Sequence, residues 1–467
     1  MAETMNGKAR ERPSQNGPSF GLEAPADLGG EGAGPKGDGP GRDGLGGEQT
    51  DPGGDGPGWD GMDPGGEGTD PSGDGPGGDD LEGAEAQPGK KVRKMWKRVM
   101  LWVLSILGIL AVVAFFSGWF FLNRIHFGAL PTGARLERIL ASPNYRDGNF
   151  QNLIPTPVMT PDGQGFMGNV KELVFPAARQ RPTDPIPTEK IDDLSQLPGN
   201  SLLWFGHSAF LVKLAGKTFL FDPSLGASAS PVSWVVKPFK GTDGYGPADL
   251  PKIDYLFISH DHWDHLDYGT VTYLKAGTPK VICPLGVGAH LDRWGFEPGA
   301  VEEGDWWDVF EPEPSLKITF IPARHFSGRG LKRNQSLWTG FLLEYGGKKL
   351  FYSGDGGYLP QYAEFGRQIG PVDLAIMECG QYNDGWKLIH MSPEESVQAA
   401  LDMGAKAAMP VHSGKFRIAN HAWDDPFIRF KAAADKVSLK VVSPKIGEIV
   451  DLDDPGQSFQ DWWVGIN

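Results

Sequence analysis

Four side chains able to bind a metal, His260, His262, Asp264 and His265, fall within six consecutive residues of the stretch Ser259–Asp267. The whole chain has ten histidines, so three in these six positions mark a built feature rather than scatter. Imidazole nitrogens and a carboxylate oxygen are the donors that suit zinc and similar divalent ions. On an extended segment His260 and His262 point to the same side and can reach one ion. Asp264 and His265, past a turn, can address a second. The apolar run Ile253–Ile258 just before them has the β-branched and aromatic bias of a buried strand, which would deliver the cluster at a sheet edge.

The same pattern of apolar strand followed by a polar chemical group recurs downstream. Leu202–Leu214, carrying His207, and Lys217–Phe221, ending at Asp222, read as strand elements. Leu316–Arg324 delivers His325. Ser336–Tyr345 and Lys348–Gly354 form a hairpin about Gly346-Gly347 and deliver Asp355. Asp373–Cys379 is a further buried strand, and Ala407–Val411 ends at His412. Ser392 with Pro393 and Glu395 has the form of a helix start with a capping box. Strands alternate with helices only in part, which predicts a layered α/β protein with mixed sheets. Seven donors are too many for one zinc and suit two ions sharing a carboxylate.

The order His-x-His-x-Asp-His, then His325, Asp355 and His412, resembles the metallo-β-lactamase superfamily over roughly residues 200–450. That resemblance implies a four-layer αβ/βα sandwich with a dinuclear metal site. It places His260, His262 and His325 on the first ion, Asp264, His265 and His412 on the second, and Asp355 between them. Trp204–Ser208, Phe221-Asp222-Pro223, Ser259–Asp267, Pro322–His325, Leu337-Trp338 and Tyr352–Asp355 together resemble the N-acylphosphatidylethanolamine-hydrolysing phospholipase D branch, as do His390–Ser396 and Met409–Phe416. The likeness implies a zinc phosphodiesterase acting on a membrane phospholipid, with Asp222 orienting a ligand and His390 near substrate. Ile389 stands where the animal enzymes have Gln, and the animal enzymes lack a membrane span.

The remainder of the chain says where such a centre works. Residues 1–89 are a Gly/Pro-rich acidic tail, expected to be disordered. Residues 30–89 hold fifteen Asp/Glu against two Lys/Arg, a net −13 of the chain's −15. Residues 90–98 carry six positive charges, and 99–122 are uncharged, long enough to cross roughly 30 Å of hydrocarbon as one helix. The basic flank predicts the tail in the cytoplasm and the hydrolase domain outside it. Residues 123–200 read as an irregular lead-in without assigned chemistry, and 201–467 as the hydrolase domain. Cys283 and Cys379, in apolar runs, read as buried thiols. No basic domain argues for nucleic acid.

The expectation is thus a membrane-anchored dinuclear zinc hydrolase, manganese being the alternative ion. A water held between the ions and deprotonated near neutral pH would attack a phospholipid phosphodiester, with Asp264, Asp355, His390 and Asp222 as the catalytic set. Hydrolysis of another ester, such as a lactone, is the alternative, ahead of a non-catalytic surface protein keeping the fold. The oligomeric state is left open.

Overall fold

A computed structural model describes residues 88–160, 178–277 and 280–467. The chain divides into two units, 1–85 and 86–467. The expected tail, apart from Pro88 and Gly89, lies outside the described residues.

Pro88–Leu122 is one continuous helix. It therefore takes in the basic flank as well as the apolar stretch. Its apolar side chains are exposed on every side, Trp102 and Phe120 among them. A helix apolar all round has no preferred face to bury against a core and is long enough to span a bilayer.

The hydrolase domain is built on two seven-stranded sheets that share one pattern. A small hairpin, β1 (Tyr145–Arg146) and β2 (Asn149–Phe150), precedes them. The first sheet uses β3 (Ser201–Trp204), β4 (Phe210–Leu214), β5 (Lys217–Phe221), β6 (Tyr255–Phe257), β7 (Lys280–Pro284), β8 (Val301–Gly304) and β16 (Ile449–Asp451), in the order 16-3-4-5-6-7-8. The second uses β9 (Val309–Glu313), β10 (Leu316–Pro322), β11 (Thr339–Tyr345), β12 (Lys348–Tyr352), β13 (Leu374–Glu378), β14 (Ala407–Val411) and β15 (Lys440–Val441), in the order 15-14-13-12-11-10-9. In each, three antiparallel neighbours are followed by three parallel ones. The β11–β12 turn at Gly346 and Gly347 has positive φ at both residues, 55° and 76°, as a two-residue hairpin requires.

Strand alternation sorts the second sheet's side chains into two cores. Ile318, Phe320, Phe341, Leu343, Leu350, Tyr352, Leu374, Ile376 and Met409 join a core with first-sheet residues such as Leu211, Phe221 and Phe257. Their neighbours Ile321, Leu342, Phe351, Ala375, Met377 and Ala408 face the other way. There they meet Phe365, Val397, Ala400 and Phe430 from the helices Tyr362–Ile369, Pro393–Asp402 and Asp425–Lys436. A residue period of two thus makes one sheet the wall of two packed layers. The capping box at Ser392 forms, with Ser392 accepting from the Glu395 amide and Glu395 reaching back to the Ser392 amide. Cys283 and Cys379 are buried and free.

Candidate metal centre

The C-terminal ends of β3, β5, β6, β10, β12, β13 and β14 converge, and each is followed within a few residues by a chemically active side chain. After β6 come His260, His262, Asp264 and His265; after β10, His325; after β12, Asp355; after β14, His412. His260 Nε2 lies 2.8 Å from His262 Nδ1, and His325 Nε2 lies 3.2 Å from the same atom. On the other side, Asp264, His265 and His412 gather with His207. Asp355 sits between the two groups. Its Oδ2 is 3.0 Å from His265 Nε2 and 3.9 Å from the Nε2 atoms of both His260 and His325, while Oδ1 is 3.1 Å from His412 Nδ1.

Backbone detail fixes these positions. His207, Asp222 and His412 all adopt positive φ (55°, 38° and 63°), a conformation costly for residues with a Cβ and concentrated at functional sites. Here it is held by hydrogen bonds between the ends of the two sheets: the His412 amide donates to His207 O and the His207 amide to Ser413 O, at 3.0 and 2.9 Å. Gly354, at φ 60°, turns the chain into Asp355 where a Cβ would stand 2.5 Å from Thr339 O.

A buried network orients the rings. Asp222 accepts from the Ser259 amide (2.7 Å), Ser259 Oγ (2.6 Å), Tyr352 Oη (2.6 Å) and His265 Nδ1 (2.8 Å). Ser259 Oγ, its own proton given to Asp222, accepts from His260 Nδ1 at 2.9 Å. His325 Nδ1 donates to Ile389 O at 2.9 Å. In the neutral form of each ring the proton thereby belongs on Nδ1, which leaves the Nε2 lone pair facing the centre.

Those lone pairs test whether a metal fits. The Nε2 atoms of His260 and His325 both converge on His262 Nδ1, where at most one proton can be shared. Among the described residues His265 Nε2 and Asp355 Oδ1 are buried without a well-formed hydrogen bond, their 3.0 and 3.1 Å contacts with Asp355 Oδ2 and His412 Nδ1 lacking its geometry. Burial and neighbouring imidazoles hold His260, His325 and His412 well below the usual histidine range, and burial brings His262 down to about 4. These rings are therefore neutral, the form that ligates. Burial opposes charge on His265 as well, yet Asp355, Asp264 and Asp222 raise it well above its ordinary value. Burial pushes Asp355 up to about 6. Several neutral donors converging on buried carboxylates form a place for positive charge, and the donor set fits two divalent ions.

Residues 217–413 match the family model described as the Beta-lactamase superfamily domain. An uncharacterized protein of Mycobacterium tuberculosis is 38% identical over 360 residues, covering 74% of this chain and 95% of that protein. The chain belongs to the metallo-β-lactamase superfamily. Two further relatives are similar over shorter spans. The N-acyl-phosphatidylethanolamine-hydrolyzing phospholipase D 1 of Caenorhabditis elegans is 29% identical over 294 residues, covering 58% of this chain and 81% of its own. The outer membrane protein RomA of Klebsiella pneumoniae is 56% identical over 100 residues, covering 21% and 76%. The mixed α/β architecture is the metallo-β-lactamase fold, and the chain is a hydrolase of that fold with a potential metal-binding His/Asp cluster.

Other histidines and acids of this metallo-β-lactamase domain fall into place around the cluster. His390 approaches it from the partly exposed side, stacked on His412 with ring centres 5.3 Å apart, its Nδ1 2.9 Å from Glu378 Oε1. Glu378, the acid at the end of β13, is buried, and burial lifts its carboxyl well above the ordinary range. His207 Nε2 meets Asp264 Oδ2 at 2.9 Å. Asp261 points away from the cluster. It accepts from Ser336 Oγ and the Gly328 amide and meets His290 Nε2 at 3.1 Å, so it ties the loop down and orients no candidate ligand. Trp338 and Trp423 are buried in the cores, which leaves neither to line a groove.

Sequence reasoning did not single out Ser259, Tyr352, Glu378 or Asn152. The lone acid closing the apolar run Asp373–Cys379 was a usable signal for Glu378. Asn152 was not legible, because it lies in the irregular lead-in. There its side chain clamps the His325 backbone, donating to its carbonyl (2.7 Å) and accepting from its amide (3.0 Å).

Proposed function

We propose that this protein is a membrane-anchored dinuclear metallohydrolase that cleaves the phosphodiester of a membrane phospholipid, in the manner of a phospholipase D acting on an N-acylphosphatidylethanolamine-like substrate. The observation that carries the reading is Asp355, buried between two groups of candidate ligands whose lone pairs face one another. His260, His262 and His325 would hold one ion and Asp264, His265 and His412 the other, with Asp355 shared. Zinc suits the imidazole-rich set, and manganese is the alternative. Two such ions supply a water acidified toward neutral pH and charge to stabilise the phosphoryl oxygens.

The chain's own groups do the rest. Asp222 and Ser259 hold the His265 and His260 rings, and Ile389 O holds His325. Attack of water on phosphorus forms one P–O bond and breaks another, and the departing alkoxide needs a proton. We read the pair His390 and Glu378 as its source, the neutral His390 giving up its Nε2 proton while the protonated Glu378 carboxyl passes its own to Nδ1.

Substrate class rests on two supports: the name of the Caenorhabditis elegans relative, and the distance from the centre to the helix exit. Phe127, five residues beyond Leu122, packs edge-on against Trp263 between His262 and Asp264, with ring centres 5.0 Å apart. A lipid substrate concentrated in the bilayer would meet the site there. The basic flank favours the tail inside and the hydrolase domain outside the cytoplasm. The test uses the full chain in detergent with its metal content measured, assayed on N-acylphosphatidylethanolamine in mixed micelles. Release of phosphatidic acid supports the reading. Two ions per chain with no turnover of any phospholipid would remove the substrate class.

A further inference from the structure

Where the apolar helix meets the domain there is a feature that the hydrolytic centre does not use. A cavity of about 540 Å³ opens there, lined among others by Leu122, Asn123, Leu130, Arg293, Leu331 and Lys332. The helix exit is bonded to this wall: Arg293 donates to Asn123 O at 3.0 Å, and Trp294 Nε1 to Ile125 O at 2.8 Å. The loop Gly328–Arg333 is tied to the same exit, Arg329 donating twice to His126 O at 3.2 and 3.0 Å.

Positive charge and an exposed apolar side chain coincide at this place. Arg124, Arg293, Lys332 and Arg333 are exposed around the exit, and among the described residues none of them pairs with a carboxylate. Arg135, by contrast, pairs with Asp292 and Glu303. Together the four exposed cations form a local positive surface. Between Gly330 and Lys332, Leu331 stands 85% exposed. An apolar tip flanked by unpaired cations is poorly matched to water and well matched to a bilayer interface, where the tip enters the acyl boundary and the cations meet phosphates.

We propose that the loop Gly328–Arg333, together with Arg124 and Arg293, is a bilayer-docking surface that binds the headgroups of anionic phospholipids surrounding the helix. This rests on the reading of Pro88–Leu122 as a membrane span. The same loop holds the candidate metal loop, since Arg329 donates to Asp261 O (3.0 Å) and Leu266 O (2.7 Å). Docking would thereby keep the mouth of the centre at the lipid surface.

The experiment uses the full chain in liposomes, with and without phosphatidylglycerol, and acyl-chain-labelled quencher lipids. Both native cysteines are buried, so a single fluorophore can be placed at Gly330→Cys, where a Cβ meets only Phe127 at 3.9 Å, or at Leu110→Cys in the helix. The proposal expects quenching at both positions, rising at 330 with phosphatidylglycerol. Lys332→Glu with Arg333→Glu should move the half-point at 330 by about fivefold or more per charge, since each basic residue near an anionic surface contributes about 1 kcal/mol. Leu331→Ser should reduce the quenching itself. Quenching at 110 without quenching at 330 overturns the docking surface and leaves the span standing. No quenching at either position overturns the span, and the docking surface with it. Free phosphate cannot produce either signal, because the quencher resides in the acyl chains.

Discussion

Asp222 shows how one residue can govern a centre it does not enter. It receives four hydrogen bonds while buried, and two of them, from His265 and through Ser259 from His260, set which nitrogen faces inward. Asp222→Asn keeps the volume but loses the charge that holds His265 Nδ1–H. It should weaken metal affinity by roughly 10- to 100-fold, read by chelator competition, with the fold retained by circular dichroism. Unchanged affinity would reject the orienting role. Protonation behaves predictably as well. His207, His260, His262, His325, His390 and His412 have folded-state values below the ordinary histidine value, so below about pH 6.5 the unfolded chain binds more protons than the folded one. Asp355, His265 and Glu378 in the same cluster are shifted upward and oppose this, but they are three groups against six. Metal-free protein should therefore lose stability as pH falls from 6.5 toward 4, measured as a falling denaturant midpoint; a flat midpoint over that window would contradict the assignment.

At the scale of elements, the centre exists because strand ends of two sheets meet. This much was legible: each candidate ligand follows an apolar strand-like run, and the structure brings His260, His262, Asp264, His265, His325, Asp355 and His412 together. What could not be read was the mutual support. The left-handed backbone at His207, Asp222 and His412 arises from pairing between distant strand ends, and no local pattern encodes it. The clamp of Asn152 on His325 spans 173 positions of sequence. Asp261 stands between two candidate ligands in the sequence, yet the loop turns it outward to His290 and Ser336. Two substitutions probe these supports. Gly354→Ala would drive a Cβ toward Thr339 O in a left-handed turn; it should displace Asp355 and reduce turnover by an order of magnitude or more in a steady-state assay. Ser392→Ala removes a helix cap that is not itself a candidate ligand and should cost about 1 kcal/mol in thermal or denaturant unfolding.

Viewed whole, the molecule couples an apolar helix to a hydrolase of the metallo-β-lactamase superfamily through a short, well-bonded joint. Phe127 against Trp263, Trp294 on Ile125 O and Arg329 on His126 O all tie the helix exit to the candidate metal loop. A reporter fused to the C-terminus tests the proposed orientation: it should be active only in a form that works outside the cytoplasm. The most direct measurement of the central claim is the metal content of the purified full chain beside its Asp355→Asn variant. The account predicts about two divalent ions per wild-type chain, the number that two groups of ligands sharing one carboxylate would hold. In the variant it predicts fewer, with phosphodiester cleavage abolished and the fold intact. Less than one ion per chain in the wild type, or full activity in the variant, would contradict it.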